Sequence, residues 1–187
     1  GKLSLKAIRN ITLEDLLGRD EVYLDQDKID LYLKDKRVLV TGAGGSIGSE
    51  LVRQIGRFNP EALGLLEFSE YNLFQIEMEI RQRLKNITIQ GFLADIRDNR
   101  SVQRVFDSFE PDVVFHAAAY KHVPLQEITP WEAVLNNVLG TRNLVHAAVQ
   151  YDVKKFVLVS TDKAVRPTNV MGATKRIAEM LIQTSNG

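Results

Sequence analysis

The string Thr41-Gly42-Ala43-Gly44-Gly45-Ser46-Ile47-Gly48 spaces glycines as G-x-x-G-x-x-G directly after the apolar run Val38-Leu39-Val40. A tight turn, a close backbone approach to a pyrophosphate and close helix–strand packing each need a residue without Cβ, which gives Gly42, Gly45 and Gly48 their tasks. A helix opening at Ser46, with Ile47 in its first turn, would aim its N–H groups at a diphosphate. No Lys-Ser/Thr pair follows the glycines, so a nucleoside-triphosphate loop is disfavoured. Glu67 ends the next apolar run, where a carboxylate accepts hydrogen bonds from the adenosine ribose and repels a 2′-phosphate; Glu70 is the alternative. No Arg or Lys falls between Leu63 and Ile80, which favours NAD over NADP. Asp95, within Leu93-Ala94-Asp95-Ile96, could bond the adenine amine with Ile96 against the ring. The small Ala117, Ala118 and Ala119 would let the backbone pass close to the nicotinamide half, and the charged pair Asp162-Lys163 follows a later apolar run at its carboxyl end.

These residues need a scaffold that brings several strand ends together. Apolar runs of strand length recur at 38–40, 63–68, 87–92, 113–115 and 156–159, separated by segments of helical period near 46–58, 70–84, 99–109, 130–150 and 170–184. Continuous apolar strands alternating with helices predict βαβ units, hence an α/β fold with a doubly wound, Rossmann-like parallel sheet and ligands beyond the strands' carboxyl ends. Residues 36–187 form this domain. Residues 1–35 read as a helical arm or linker, with one short capped helix over Asn10–Gly18 and a second over Asp27–Leu33, whose apolar residues are Ile29, Leu31 and Leu33. Trp131 and its surroundings, with Val134, Val138, Leu144, Val145 and Ala148, read as core.

Composition narrows the partners. The 187 residues carry 24 Lys+Arg and 24 Asp+Glu, which removes the electrostatic case for nucleic acid or an anionic membrane. The absence of Cys excludes a disulfide scaffold, a thiolate metal site and a Cys nucleophile, and no metal site is expected. No apolar run approaches the roughly 20 residues of a membrane helix, so a cytoplasmic globular domain is expected.

Two longer runs, His116-Ala-Ala-Ala-Tyr-Lys-His-Val-Pro and Ser160-Thr-Asp-Lys-Ala-Val-Arg-Pro-Thr-Asn, accompany Asn137-Val-Leu-Gly-Thr and Met171-Gly-Ala-Thr-Lys175. Together with the glycine loop they resemble the extended short-chain dehydrogenase/reductase superfamily. More narrowly they resemble its polysaccharide-biosynthesis nucleotide-sugar 4,6-dehydratases acting on UDP-N-acetylglucosamine, from about Asp15 to the end of the chain. Where the wider superfamily has a Tyr four residues before its Lys, this sequence has Met171, which carries no proton. The resemblance points to the branch with methionine there, whose members are typically large proteins with an N-terminal membrane region. It implies a membrane anchor upstream and the cytoplasmic face of the inner membrane. It further implies a homo-oligomer formed through the last two helices, and a substrate part that is largely missing from this chain, leaving it weakly active alone.

The resemblance also implies roles. Asp162 would protonate the departing 6-hydroxyl, with a pKa raised by burial, and Lys163 would take the C5 proton, with a pKa lowered by desolvation or by the Lys175 cation. Thr161 would bond the C4 hydroxyl and Lys175 the nicotinamide ribose. Lys121 and His122 are candidate contacts for a diphosphate sugar. Asn137 reads as a backbone anchor, and His116 as either a core histidine or a ligand. Two rivals remain: a 4-epimerase, which ordinarily needs the Tyr missing at 171, and a non-catalytic NAD-binding sensor module.

Overall fold

The computed structural model describes residues 26–185; the expected helix over Asn10–Gly18 lies outside them. Five parallel strands, β1 (Arg37–Thr41), β2 (Ala62–Glu67), β3 (Thr88–Leu93), β4 (Val113–His116) and β5 (Lys155–Leu158), form one sheet in the order β3-β2-β1-β4-β5. The chain moves outward from β1 to β3, then crosses back to β4. The strand order therefore reverses beside β1, and a crevice opens there. The helices are α1 (Gln26–Leu33), α2 (Ser46–Ile55), α3 (Glu70–Arg83), α4 (Asn99–Phe109), α5 (Val123–Ile128), α6 (Pro130–Ala133), α7 (Thr141–Gln150) and α8 (Val170–Thr184).

Burial on both faces explains the unbroken apolar runs of β1, β2 and β4, whereas the edge strand β5 is only partly covered and leaves Val157 exposed. Val38 and Val40 pack with Val52, Ile55, Leu73, Ile76 and Ile80 on one face, and Leu33 of α1 joins this layer. Leu39 turns to the other face with Phe106, Phe109 and Leu144. Pairing aligns Thr41 with Leu66 and with His116, and His116 with Leu158, so the segments that follow these strands leave the sheet from one edge.

Four local expectations are corrected. The segment 46–58 is an α-helix only to Ile55, and Gly56–Phe58 tightens into a 3₁₀ turn. The expected single helix over 130–150 is three pieces, with Val134–Gly140 wound as a wider π-helix between α6 and α7. Trp131 is 76% exposed, because α6 is one turn long and begins at Pro130, which leaves that side chain on its outer face, and Leu31 of α1 is exposed as well. The short helix α5, with Pro124 in its first turn, has no counterpart among the expected elements.

A polar chain runs through the apolar interior. Thr141 Oγ1 donates to the Asn137 carbonyl at 2.6 Å, so its oxygen accepts from His116 Nε2, 2.9 Å away. His116 Nδ1 must then accept from Thr41 Oγ1 at 2.7 Å, which assigns the Nε2–H tautomer. His116 is thus a satisfied core histidine. Burial first, and the Lys175 charge second, push its pKa down from 6.5 to about 3. Unfolded, the same ring takes up a proton near 6.5. Between those values the unfolded state binds more protons, so stability falls as pH falls. Urea unfolding from pH 6.5 down to 4 should show this acid loss, and His116→Asn should flatten it by up to about 1.4 kcal/mol per pH unit. Equal slopes for the two proteins would show that the folded ring accepts a proton.

Candidate functional site

The glycine loop forms the floor of the cleft because side chains would collide there. Gly42 has φ +66°, and a Cβ on it would stand 2.8 Å from the Ala118 Cα; a Cβ on Gly48 would stand 1.9 Å from the Gly42 carbonyl oxygen. These positions meet the expected needs for a turn and for close packing of α2 on β1. A Cβ on Gly45 would meet only the Gly42 oxygen, at 3.2 Å, which leaves its outer side open to a bound group. No side chain caps α2 at Gly45. Gly44 is required as well, since its Cβ would fall 2.5 Å from the Asn72 Cβ. The sequence reading assigned Gly44 no task; the signal lies only in its contact with α3.

Glu67 is buried, and its carboxylate accepts from the backbone N–H groups of Gly44, Phe68 and Ser69, each at 3.1 Å. A carboxylate has about four acceptor positions, so about one remains for a hydroxyl in the cleft. Glu67 therefore both shapes the loop and lines the pocket. Glu70 sits instead in the first turn of α3 and does not line it.

The cleft has two compartments that share Gly45, Ala117, Ala119 and Tyr120. One is lined by Glu67, Asp95, Ile96, Arg97 and Ala118. The other is lined by Ser46, Ile47, Gly48, Lys121, His122, Thr161, Lys163, Met171 and Lys175. Asn137 holds the wall between them. Its Oδ1 accepts from Tyr120 N at 2.8 Å, and its Nδ2 donates to the Tyr120 carbonyl and to Thr174 Oγ1. It anchors backbone, as its position suggested. The π-helix that carries it is a form found frequently at functional sites.

In the second compartment Met171 is buried and Lys175 is 6% exposed, its Nζ donating to the Val159 carbonyl at 2.6 Å. Burial lowers the Lys175 pKa to about 8, against the opposing pull of Glu179. The pair Asp162–Lys163 departs from expectation. Asp162 does not line the cleft; its side chain is 88% exposed and 3.4 Å from Lys163 Nζ, whose side chain is itself half exposed. The Asp162 pKa is lowered, first by the hydrogen bond from Thr161 and then by the Lys163 charge, not raised by burial. The reason is geometric: Asp162–Ala164 is a 3₁₀ turn that buries Ala164 and leaves the Asp162 side chain outward, with the Thr161 hydroxyl capping it through Lys163 N. Lys121 reaches Ser46 Oγ at 2.6 Å, which places it against the start of α2.

No group of three or more His, Cys, Asp or Glu among the described residues could hold a metal, and no described helix is long and apolar enough to cross a membrane. The cleft fits an elongated dinucleotide instead, with Cβ-free turns at its centre and a buried carboxylate on one side of them.

A family model described as polysaccharide biosynthesis protein matches residues 38–187. The capsular polysaccharide biosynthesis protein CapD of Staphylococcus aureus is 48% identical over 187 residues, all of this chain and 31% of CapD. Pen from Bacillus thuringiensis superposes with a TM-score of 0.76 at 40% identity, over 82% of this chain and 48% of Pen. UDP-glucose 4-epimerase from Thermus thermophilus, solved in complex with NAD, does so with a TM-score of 0.63 at 27% identity, over 79% of this chain and 50% of the epimerase. The chain thus spans about a third of the length of CapD and about half of the solved structures. With its glycine turn, buried Lys175 and parallel sheet, the chain belongs to the polysaccharide biosynthesis protein family of the short-chain dehydrogenase/reductase superfamily, and it is similar to UDP-glucose 4-epimerases.

Proposed function

We propose that this chain carries the NAD-binding and much of the catalytic part of a UDP-N-acetylglucosamine 4,6-dehydratase, which forms a UDP-4-keto-6-deoxy sugar for polysaccharide assembly. The observation that carries the reading is Met171. It lies buried in the cleft wall one helical turn before Lys175, beside Thr161 and Lys163, where an epimerase of the wider superfamily keeps its proton-carrying Tyr.

Bound NAD would supply a reversible hydride acceptor serving C4 and then C6 of the sugar, so no net oxidation would result. Glu67 offers its remaining acceptor site to the adenosine ribose, and Gly45, Ser46, Ile47 and Gly48 border the diphosphate. Asp95 and Ile96 meet the adenine, and Ala117 to Ala119 border the path to the nicotinamide. Lys175, pinned to the Val159 carbonyl, holds the nicotinamide ribose. Thr161 bonds the C4 hydroxyl, whose proton passes to water as the C4 ketone forms, and Lys163 later returns a proton to C5. Lys163 removes the C5 proton, which the C4 ketone has made acidic, and Asp162 gives a proton to the departing 6-hydroxyl. Both side chains face solvent here, so the arriving sugar displaces water from them. Lys121 and His122 are placed to meet the diphosphate of the sugar. Val149 on α7 and Ile177 and Met180 on α8 are exposed, which supports pairing of two copies through these helices.

A 4-epimerase is the second reading, favoured by the likeness to the Thermus enzyme. Proton NMR of UDP-N-acetylglucosamine in D₂O, with NAD and the protein at its natural length, separates the two. A new 6-methyl singlet, with deuterium in place of H5 and no accumulating NADH, is the expected result; UDP-N-acetylgalactosamine would establish the epimerase. Lys163→Ala should lower turnover by about 10²–10⁴-fold while leaving NAD affinity within about twofold. Unchanged turnover would remove Lys163 from the chemistry.

A further inference from the structure

The segment after β3 is held far more firmly than an exposed loop requires. Asp95 receives three separate N–H donors from Arg97: the backbone N–H to Oδ1 at 2.8 Å, Nε shared between the two oxygens at 3.0 and 2.8 Å, and Nη2 to Oδ2 at 2.6 Å. The other arm of the guanidinium donates from Nη1 to Glu132 Oε2 of α6 at 2.9 Å. Beneath it the buried Asn143 of α7 donates from Nδ2 to the carbonyls of Ile96 and Arg97, at 3.0 and 3.2 Å. Elements far apart in sequence thus converge on four residues of loop.

A solvated ion pair would explain a single contact, and such pairs contribute little. It does not explain a planar fork locked at both ends, in which the carboxylate, the guanidinium and Ile96 all line the same compartment of the cleft. Each Asp95 oxygen takes two of these contacts, so one rigid partner fixes the plane and the orientation of the carboxylate at the cleft. A fixed, ionised acceptor beside an apolar wall suits the exocyclic amine of a purine and repels a carbonyl oxygen in the same place.

We propose that Arg97, braced by Glu132, is a positioning residue that makes the cleft selective for a 6-amino purine, acting through the orientation of Asp95. This rests on the reading that NAD binds with its adenine in the compartment lined by Asp95. It predicts discrimination between NAD and nicotinamide hypoxanthine dinucleotide, which differs by an oxygen in place of the amine.

Affinities of both dinucleotides, measured by calorimetry on the natural-length protein, test it without any turnover. The wild type should prefer NAD by roughly 10- to 100-fold, the range expected for one hydrogen bond to a charged acceptor. Arg97→Lys keeps the charge but loses the fork, and should cut that preference to within about threefold. Asp95→Asn should do the same, because an amide can pair with either base, and the double variant should lose no more than either single one. Glu132→Gln should lower the ratio by a smaller factor, and serves as the reporter if Arg97→Lys does not fold. If Asp95→Asn lowers the ratio and Arg97→Lys and Glu132→Gln do not, the role given to Arg97 is overturned while the placement of adenine stands. An unchanged ratio in Asp95→Asn overturns both. Equal weakening of the two dinucleotides by Arg97→Lys makes Arg97 a structural residue only.

Discussion

At the carboxyl end of β1 three backbone segments meet with no room for a side chain. Gly42 turns in the left-handed region against the Ala118 Cα, while α2 closes on the same turn through Gly48, where a Cβ would overlap the Gly42 carbonyl oxygen. The rest of the site inherits this contact. It sets how near α2 begins to the sheet, brings the Ala117–Ala119 segment against the loop, and leaves Gly45 as the open point between the two compartments. Glu67 secures the arrangement from the side, since its carboxylate ties Gly44 to the end of β2. A buried carboxylate with three N–H donors is well compensated, which is why it can sit at a dry strand end.

The second compartment is positioned by a different device. The hydrogen-bonded chain from Thr41 through His116, Thr141 and Asn137 ends on the backbone of Tyr120 and on Thr174, whose hydroxyl donates to the Met171 carbonyl. It links the end of β1 to the helix that carries Lys175, across the apolar layer between them. Every member has a partner, so the network fixes one arrangement of the core instead of burdening it. The wall of the reaction compartment is therefore stiff and dry on the Met171–Lys175 side. On the Asp162–Lys163 side the side chains stand in water, although the turn that carries them packs on α8, where a Cβ on Gly172 would stand 2.3 Å from the Lys163 carbonyl oxygen.

Much of this was readable in the chain. Apolar runs with no polar alternation required strands covered on both faces, and the glycine spacing after the first of them required a Cβ-free turn, because both features are local properties of a few neighbouring residues. Asn137 reads as a backbone anchor in the sequence, and its bonds to the Tyr120 N–H and carbonyl agree. Local patterns also determined the wrong answers. A continuous helical period over 130–150 gave no sign of the π-helix, and an apolar Trp131 read as core although a one-turn helix leaves it in solvent.

The sequence alone determined the fold class, the edge of the sheet where the site must lie and the chemical types gathered there. Only the tertiary structure decided the electrostatic state of those groups. Asp162 and Lys175 are both charged residues near strand or helix ends in the sequence, yet one stands in water with a lowered pKa and the other is buried with its ammonium pushed down to about 8. The same holds for Arg97, which its sequence neighbours do not distinguish from any surface arginine until Glu132 and Asn143 close around its loop. Burial and partners come from residues distant along the chain, and a pKa or an orientation depends on those distant neighbours more than on the residue's own type.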